Sequence, residues 1–190
     1  HDAGREHRVP SLVLRSDRAS VSGSVRIAAD APFALEAQLQ ATSIEGAPRP
    51  WQASAKAAGP LAAIAVTAQL SSPQAAGAQL DAQATVSPFT TWPLSQLQAR
   101  TRALDLSALF TDAPQTQISG DARIDTQGLD KPITASVKLN NAQPGRWDEK
   151  RLPVAELELD ITGRADQRDR LTLRRFELRA PGDGGRASGQ

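Results

Sequence analysis

The side chains able to do chemistry in this chain are few, and their positions argue against most reactions. Both histidines, His1 and His7, stand ahead of any apolar pattern. A Ser-His-Asp triad or a histidine metal cluster needs an imidazole held by packed neighbours, so neither is expected. The chain contains no Cys, which removes disulfides, thiolate metal ligands and a cysteine nucleophile. Carboxylates do stand close together, Asp121 with Asp125, Glu156 with Glu158 and Asp166 with Asp169, and such pairs can hydrolyse glycosides. The first four, spaced two or four apart on polar strand faces, are better placed to solvate a sheet and to pair with Arg or Lys across strands. Gly182-Asp183-Gly184-Gly185 has the look of a calcium or phosphate loop, yet it matches neither the repeated calcium nonapeptide nor the lysine-ending phosphate loop and reads as a turn. Arg170, Arg174, Arg175 and Arg179 form a basic cluster balanced by Asp166, Asp169 and Glu177, without interleaved aromatics to stack on bases, so nucleic acid is not an expected partner. No enzyme activity, metal or cofactor is expected.

The elements that would position a site are strands. From Val9 onward the chain runs in short alternating segments separated by Gly, Pro, Asp and Asn, the mark of antiparallel strands with one buried face. Phe33, Leu35, Ala37, Leu39 and Ala41 share one side, as do Ile64, Val66, Ala68 and Leu70, and then Ala78, Leu80, Ala82, Ala84 and Val86. Leu97, Ala99, Thr101 and Ala103 follow, then Ile118, Gly120, Ala122 and Ile124, and then Ile133, Ala135, Val137 and Leu139. Leu157, Leu159 and Ile161 continue the pattern, as do Leu171 and Leu173. The apolar set changes parity near Arg174-Arg175, where Phe176 and Leu178 take over, which predicts a bulge. Asp105 to Phe110 begins with a capping residue and predicts one or two helical turns.

A pattern occurs twice. Ser22-Gly23-Ser24-Val25-Arg26-Ile27 returns as Ser119-Gly120-Asp121-Ala122-Arg123-Ile124, and each copy leads into a proline-started apolar alternation, Pro32 to Leu39 and Pro132 to Leu139. Repetition of units that cannot bury an apolar face alone predicts an elongated structure that binds along its length. The 190 residues suffice for one domain, and 23% charged residues with a net charge of +1 exclude a disordered chain or a strongly basic nucleic-acid binder. The hydrophobic 39% is mostly Ala with Leu, Val and Ile, while aromatics are 4%, so the apolar faces are broad but built from small side chains. Residues 1–8 read as a flexible lead-in, 9–180 as a single repetitive domain whose second copy starts near 119, and 181–190 as a glycine-rich exit to the next strand. The absence of Met suggests an internal segment of something longer.

The run Ala142-Gln143-Pro144-Gly145-Arg146-Trp147-Asp148, then Arg151-Leu152-Pro153 before a strand, and Ala103-Leu104-Asp105-Leu106-Ser107-Ala108-Leu109 before a Ser-Gly strand start resemble the TamB family of translocation and assembly module subunits, within the wider AsmA-like group. The resemblance extends over roughly Val9 to Gly189. It implies an all-β, antiparallel, curled and elongated sheet, a U-shaped β-taco groove, and a long protein anchored in the inner membrane of a Gram-negative bacterium that crosses the periplasm. It also implies movement of phospholipid toward the outer membrane, and partnership with the outer-membrane barrel TamA in outer-membrane protein assembly through parts not present here.

The residues lead to a compatible picture on their own. A sheet with one apolar face and no amphipathic helix to cover it must pair with a second sheet or curl, and small side chains favour a partly open interior that an acyl chain would fill. The candidate lining is Leu35, Leu39, Ile64, Val66, Leu70, Leu80, Val86, Ile118, Ile124, Ile133, Val137, Leu139, Leu157, Leu159 and Ile161. Trp51, Trp92 and Trp147 stand beside Pro or Gly at strand ends and are expected to cap the rim. The alternative is a structural or adhesive β-sandwich in which the same residues form a dry core.

Overall fold

The computed structural model describes residues 4–47, 49–72, 77–90, 93–110, 112–126, 131–164, 171–182 and 185–189. Twelve strands run in chain order: β1 (Glu6–Arg15), β2 (Ala19–Ala28), β3 (Ala34–Ser43), β4 (Gln52–Pro60), β5 (Ile64–Ser71), β6 (Gln79–Val86), β7 (Leu94–Leu104), β8 (Ile118–Thr126), β9 (Pro132–Asn141), β10 (Glu156–Arg164), β11 (Thr172–Arg179) and β12 (Arg186–Gly189). Each hydrogen-bonds to the next in sequence, giving one unclosed antiparallel sheet from β1 to β12. The all-β, repetitive sheet expected from the alternation is the one observed. Among the described residues, helix is confined to α1 (Leu106–Leu109) and a 3-10 turn at Trp147–Glu149, and no helix is long and apolar enough to cross a membrane.

The meander follows from the connections. Three- to seven-residue links such as 16–18, 29–33 and 61–63 return the chain alongside itself, and no crossover is needed. The two sequence copies become hairpins β2–β3 and β8–β9 in matching register, with Gly23 opposite Leu39 and Gly120 opposite Leu139. The predicted bulge is present: Asp160 pairs with Arg175 and Ile161 with Leu173, leaving Arg174 as the extra residue. That inversion keeps Leu173, Phe176 and Leu178 on one face.

A sandwich does not form. All twelve strands belong to one layer, and the only buried apolar residues among the described residues are Ile64 and Ala78, neither of them fully shielded. The alanine-rich faces have too little volume to fill the roughly 10 Å between stacked sheets.

Several finer expectations are corrected. Glu6, His7 and Arg8 are not lead-in but the start of β1, paired with Ala28, Ile27 and Arg26. Phe33 lies outside β3, at a φ of 54° and 46% exposed, because the connection from β2 has to reverse there. Ala103 leaves the alternation at a φ of 47°, and Leu104 takes the place opposite Ile118. Leu171 precedes β11 and is exposed. The strand to which the glycine-rich exit leads, β12, already begins within 181–190, pairing Arg186 with Arg179 and Ala187 with Leu178.

Candidate functional site

The pairing register decides which side chains share a face, since directly opposed residues point the same way. Three unbroken rows of small and aliphatic residues cross the sheet. One runs Val25, Ala37, Ala57, Val66, Ala84, Leu97, Ile124, Ala135, Ile161, Leu173. The next runs Gly23, Leu39, Ala55, Ala68, Ala82, Ala99, Ala122, Val137, Leu159, Phe176, and the third Val21, Ala41, Ala53, Leu70, Leu80, Thr101, Gly120, Leu139, Leu157, Leu178.

The middle row is alanine from β4 through β8. Larger neighbours flank it, Val66, Leu97 and Ile124 on one side and Leu70 and Leu80 on the other. The result is a shallow furrow running across the strands. At about 4.8 Å per strand, its floor from β4 to β8 spans roughly 19 Å.

Every candidate lining residue lies on this face. Leu35 continues it beside Ile27, Ile64 pairs with Val86, Ile118 pairs with Leu104, and Ile133 pairs with Thr126. Ile64 is buried and the others are half-buried although no second layer covers them. Their shielding comes from neighbours on the same face, so the face is apolar, continuous and open.

The opposite face carries the polar groups. Asp81, Arg100, Asp121, Lys138 and Glu158 oppose one another on successive strands with alternating charge. Lys138 Nζ is 2.8 Å from Glu158, and Arg175 is 2.9 Å from Glu158 and 3.1 Å from Glu177. The hydrogen bond to Glu158 holds the Lys138 ammonium above its ordinary range, and the hydrogen bond from Arg175 holds the Glu177 carboxyl below its own. Glu156 pairs with Arg179 at 3.0 Å. Glu156, Glu158 and Asp121 are therefore built into a solvated charge ladder, with Asp121 opposite Arg100 and Lys138, while Asp125 stands on the same polar face opposite Gln96 and Thr134. Asp166, Asp169 and Arg170 lie outside the described residues, as do Trp92, Asp183 and Gly184. No group of metal-ligating side chains occurs among the described residues.

One rim of the sheet collects the long connections, and its polar knot was not anticipated. Asp105 caps α1: its Oδ1 accepts from the Ser107 and Thr116 N–H groups at 3.0 and 3.2 Å. Thr116, 3% exposed, accepts from the Leu106 N–H and donates to the Leu104 carbonyl. Asn141 accepts from the Gln117 and Gln143 N–H groups and donates to the Val154 carbonyl, tying three segments together. Arg49, from the β3–β4 connection, reaches Asp105 Oδ2 at 2.6 Å and also meets the Ser107 hydroxyl. Ile44, Trp51, Leu109 and Phe110 line a cavity of about 570 Å³ beside that ion pair. Trp51 thus stands at the rim as expected, while Trp147 is 65% exposed on its 3-10 turn. Asp105 was visible as a cap in the sequence; its link to Arg49 carried no local signal because the partners are 56 residues apart.

No protein-family model, curated protein or solved structure matches this chain.

Proposed function

We propose that this chain is a segment of a TamB-like, envelope-spanning protein whose open apolar face carries phospholipid acyl chains between the inner and outer membranes. The observation that supports this reading is the set of three rows across one uncovered sheet, apolar but for Thr101 in the third, with an alanine furrow along the middle. A soluble single-layer sheet gains nothing from such continuity unless something apolar lies on it. The furrow floor of roughly 19 Å exceeds the roughly 15 Å depth of one leaflet of a 30 Å hydrocarbon core, so one tail fits along it. Each methylene removed from water contributes about 0.8 kcal/mol, and a tail of some sixteen carbons contributes on the order of 10 kcal/mol before ordering costs. Directional contacts are unnecessary, which suits a surface without catalytic or polar anchoring groups.

In this reading the protein works in the periplasm of a Gram-negative bacterium, attached to the inner membrane, and supports outer-membrane protein assembly with TamA through other parts of the full-length chain. The test is lipid content. Purified chain should carry phospholipid detectable by mass spectrometry, and Val66→Asp or Leu80→Lys should abolish the bound lipid while the β-sheet circular dichroism persists. Lipid-free wild-type chain from membrane-containing cells overturns the proposal. Photo-crosslinking from Leu80 or Val137 in cells distinguishes its two cargo forms: captured phospholipid supports transport, whereas captured polypeptide alone assigns the face to nascent strands.

A further inference from the structure

We propose that the cavity at the α1 rim seats the head group of the lipid whose tail lies in the furrow, and that it selects a zwitterionic phosphate–ammonium head group over an anionic one. This inference rests on the transport reading and adds to it a lipid class and an orientation.

The furrow opens toward that rim at one place. Its third-row wall is Leu70 and Leu80 on β5 and β6, but only Ala41 and Ala53 on β3 and β4. Two residues further toward the rim, on the same face of the same two strands, stand Ser43 and Trp51, joined by the bond from Ser43 N–H to the Trp51 carbonyl at 3.0 Å. Both line the rim cavity. An alanine step therefore leads from the furrow floor at Leu39 and Ala55 into the cavity. Two residues of strand span roughly 7 Å, and the head-group layer of one leaflet is about 5–8 Å deep. A head group in the cavity leaves its first tail carbons at the alanine step.

The cavity is apolar on one side and charged on the other. Ile44 and Phe110, 43% and 63% exposed, offer a wall for the glycerol and the upper tail. The Ile44 N–H donates to the Arg18 carbonyl at 2.9 Å, which holds the β1–β2 turn against the β3–β4 connection and brings Asp17 and Arg18 to the cavity. Arg49 spends only Nη1 on Asp105 and the Ser107 hydroxyl, and Arg18 has only Nε near Asp17, at 3.7 Å. The other guanidinium N–H groups of both arginines have no partner among the described residues. Such forks bind phosphate oxygens in pairs. The Asp17 side chain is 85% exposed, and Glu45 is exposed on the β3–β4 connection. These carboxylates suit an ammonium carried next to the phosphate and oppose a head group whose negative charge is uncompensated. The turn itself is held by Ser16 Oγ, which accepts from the Arg18 and Ala19 N–H groups at 3.2 and 3.1 Å, so the Asp17 and Arg18 side chains can be changed without undoing it.

The chain should be incubated with vesicles of equimolar phosphatidylethanolamine and phosphatidylglycerol carrying identical tails, recovered, and its bound lipid measured by mass spectrometry. Wild-type chain should enrich phosphatidylethanolamine about fivefold, the scale of an exposed ion pair. Asp17→Asn/Glu45→Gln should erase the enrichment while lipid stays bound. Arg18→Gln should lower retention of both lipids several-fold and keep the preference. With Trp92→Phe/Trp147→Phe leaving Trp51 as the sole tryptophan, its fluorescence should be quenched more by phosphatidylethanolamine brominated near the head group than by one brominated at the tail end. Bound lipid without a preference, a preference for phosphatidylglycerol, a preference that survives the double substitution, or the reverse order of quenching overturns the head-group site and leaves the transport reading standing. A chain that binds neither lipid overturns both.

Discussion

Gly120 and Gly23 show what the repeated Ser-Gly step does. A Cβ at Gly120 would overlap the Lys138 carbonyl oxygen, and the residue holds a φ of 151° that side-chain-bearing residues rarely adopt. Gly120→Ala should therefore cost about 1–3 kcal/mol in chemical denaturation, whereas Gly189→Ala, with open space around it, should be near neutral. At Leu80 the question is exposure. On an uncovered face a lysine there can bring its ammonium to water, so Leu80→Lys should cost about 1 kcal/mol, against several for an unpaired charge in a closed core. The charged ladder sets a pH window. Because Glu177 is depressed, its contribution is complete above the unfolded carboxylate value of about 4.3 and is lost as pH falls through the folded value. Lys138 is raised, so its contribution is complete below about 10.4 and is lost as pH rises through the folded value. Melting temperature at low salt should be flat between these limits; Glu177→Gln should remove part of the acid-side slope and Lys138→Met part of the alkaline one. High salt should erase both effects, since the groups are exposed.

Among the elements, the rim built on α1 is the one whose anchoring is both local and distant. Asp105→Ala removes a helix cap, the bond to Thr116 N–H and the Arg49 ion pair together, and should cost about 1–2 kcal/mol. Hydrogen exchange should then rise in residues 105–117 and in the β3–β4 connection while the middle strands keep their protection. The strands themselves were legible because alternation at period two is imposed by the pleat, and the bulge near Arg174 was legible because parity cannot change without an extra residue. β1 was only partly legible. Its own bulge at Pro10-Ser11 breaks the alternation that identifies the other strands, and Glu6 to Arg8 carry charges that resemble a solvated end.

At the scale of the molecule, each strand packs substantially only against its sequence neighbours. Stability of this kind is close to a sum of nearest-neighbour terms. Hydrogen exchange should fall from both edges toward the middle strands, and denaturation should be broader than for a compact domain of 190 residues. Composition and periodicity by themselves determined an antiparallel sheet, its repeated hairpin and its apolar residues, because each of these is written in spacing along the chain. Tertiary structure alone decided that there is one layer rather than two, that the apolar residues of successive strands join into rows with an alanine floor, and that Arg49 closes on Asp105. Those outcomes depend on how strands register across the sheet and on whether side-chain volume can fill a second layer, quantities that no single segment contains.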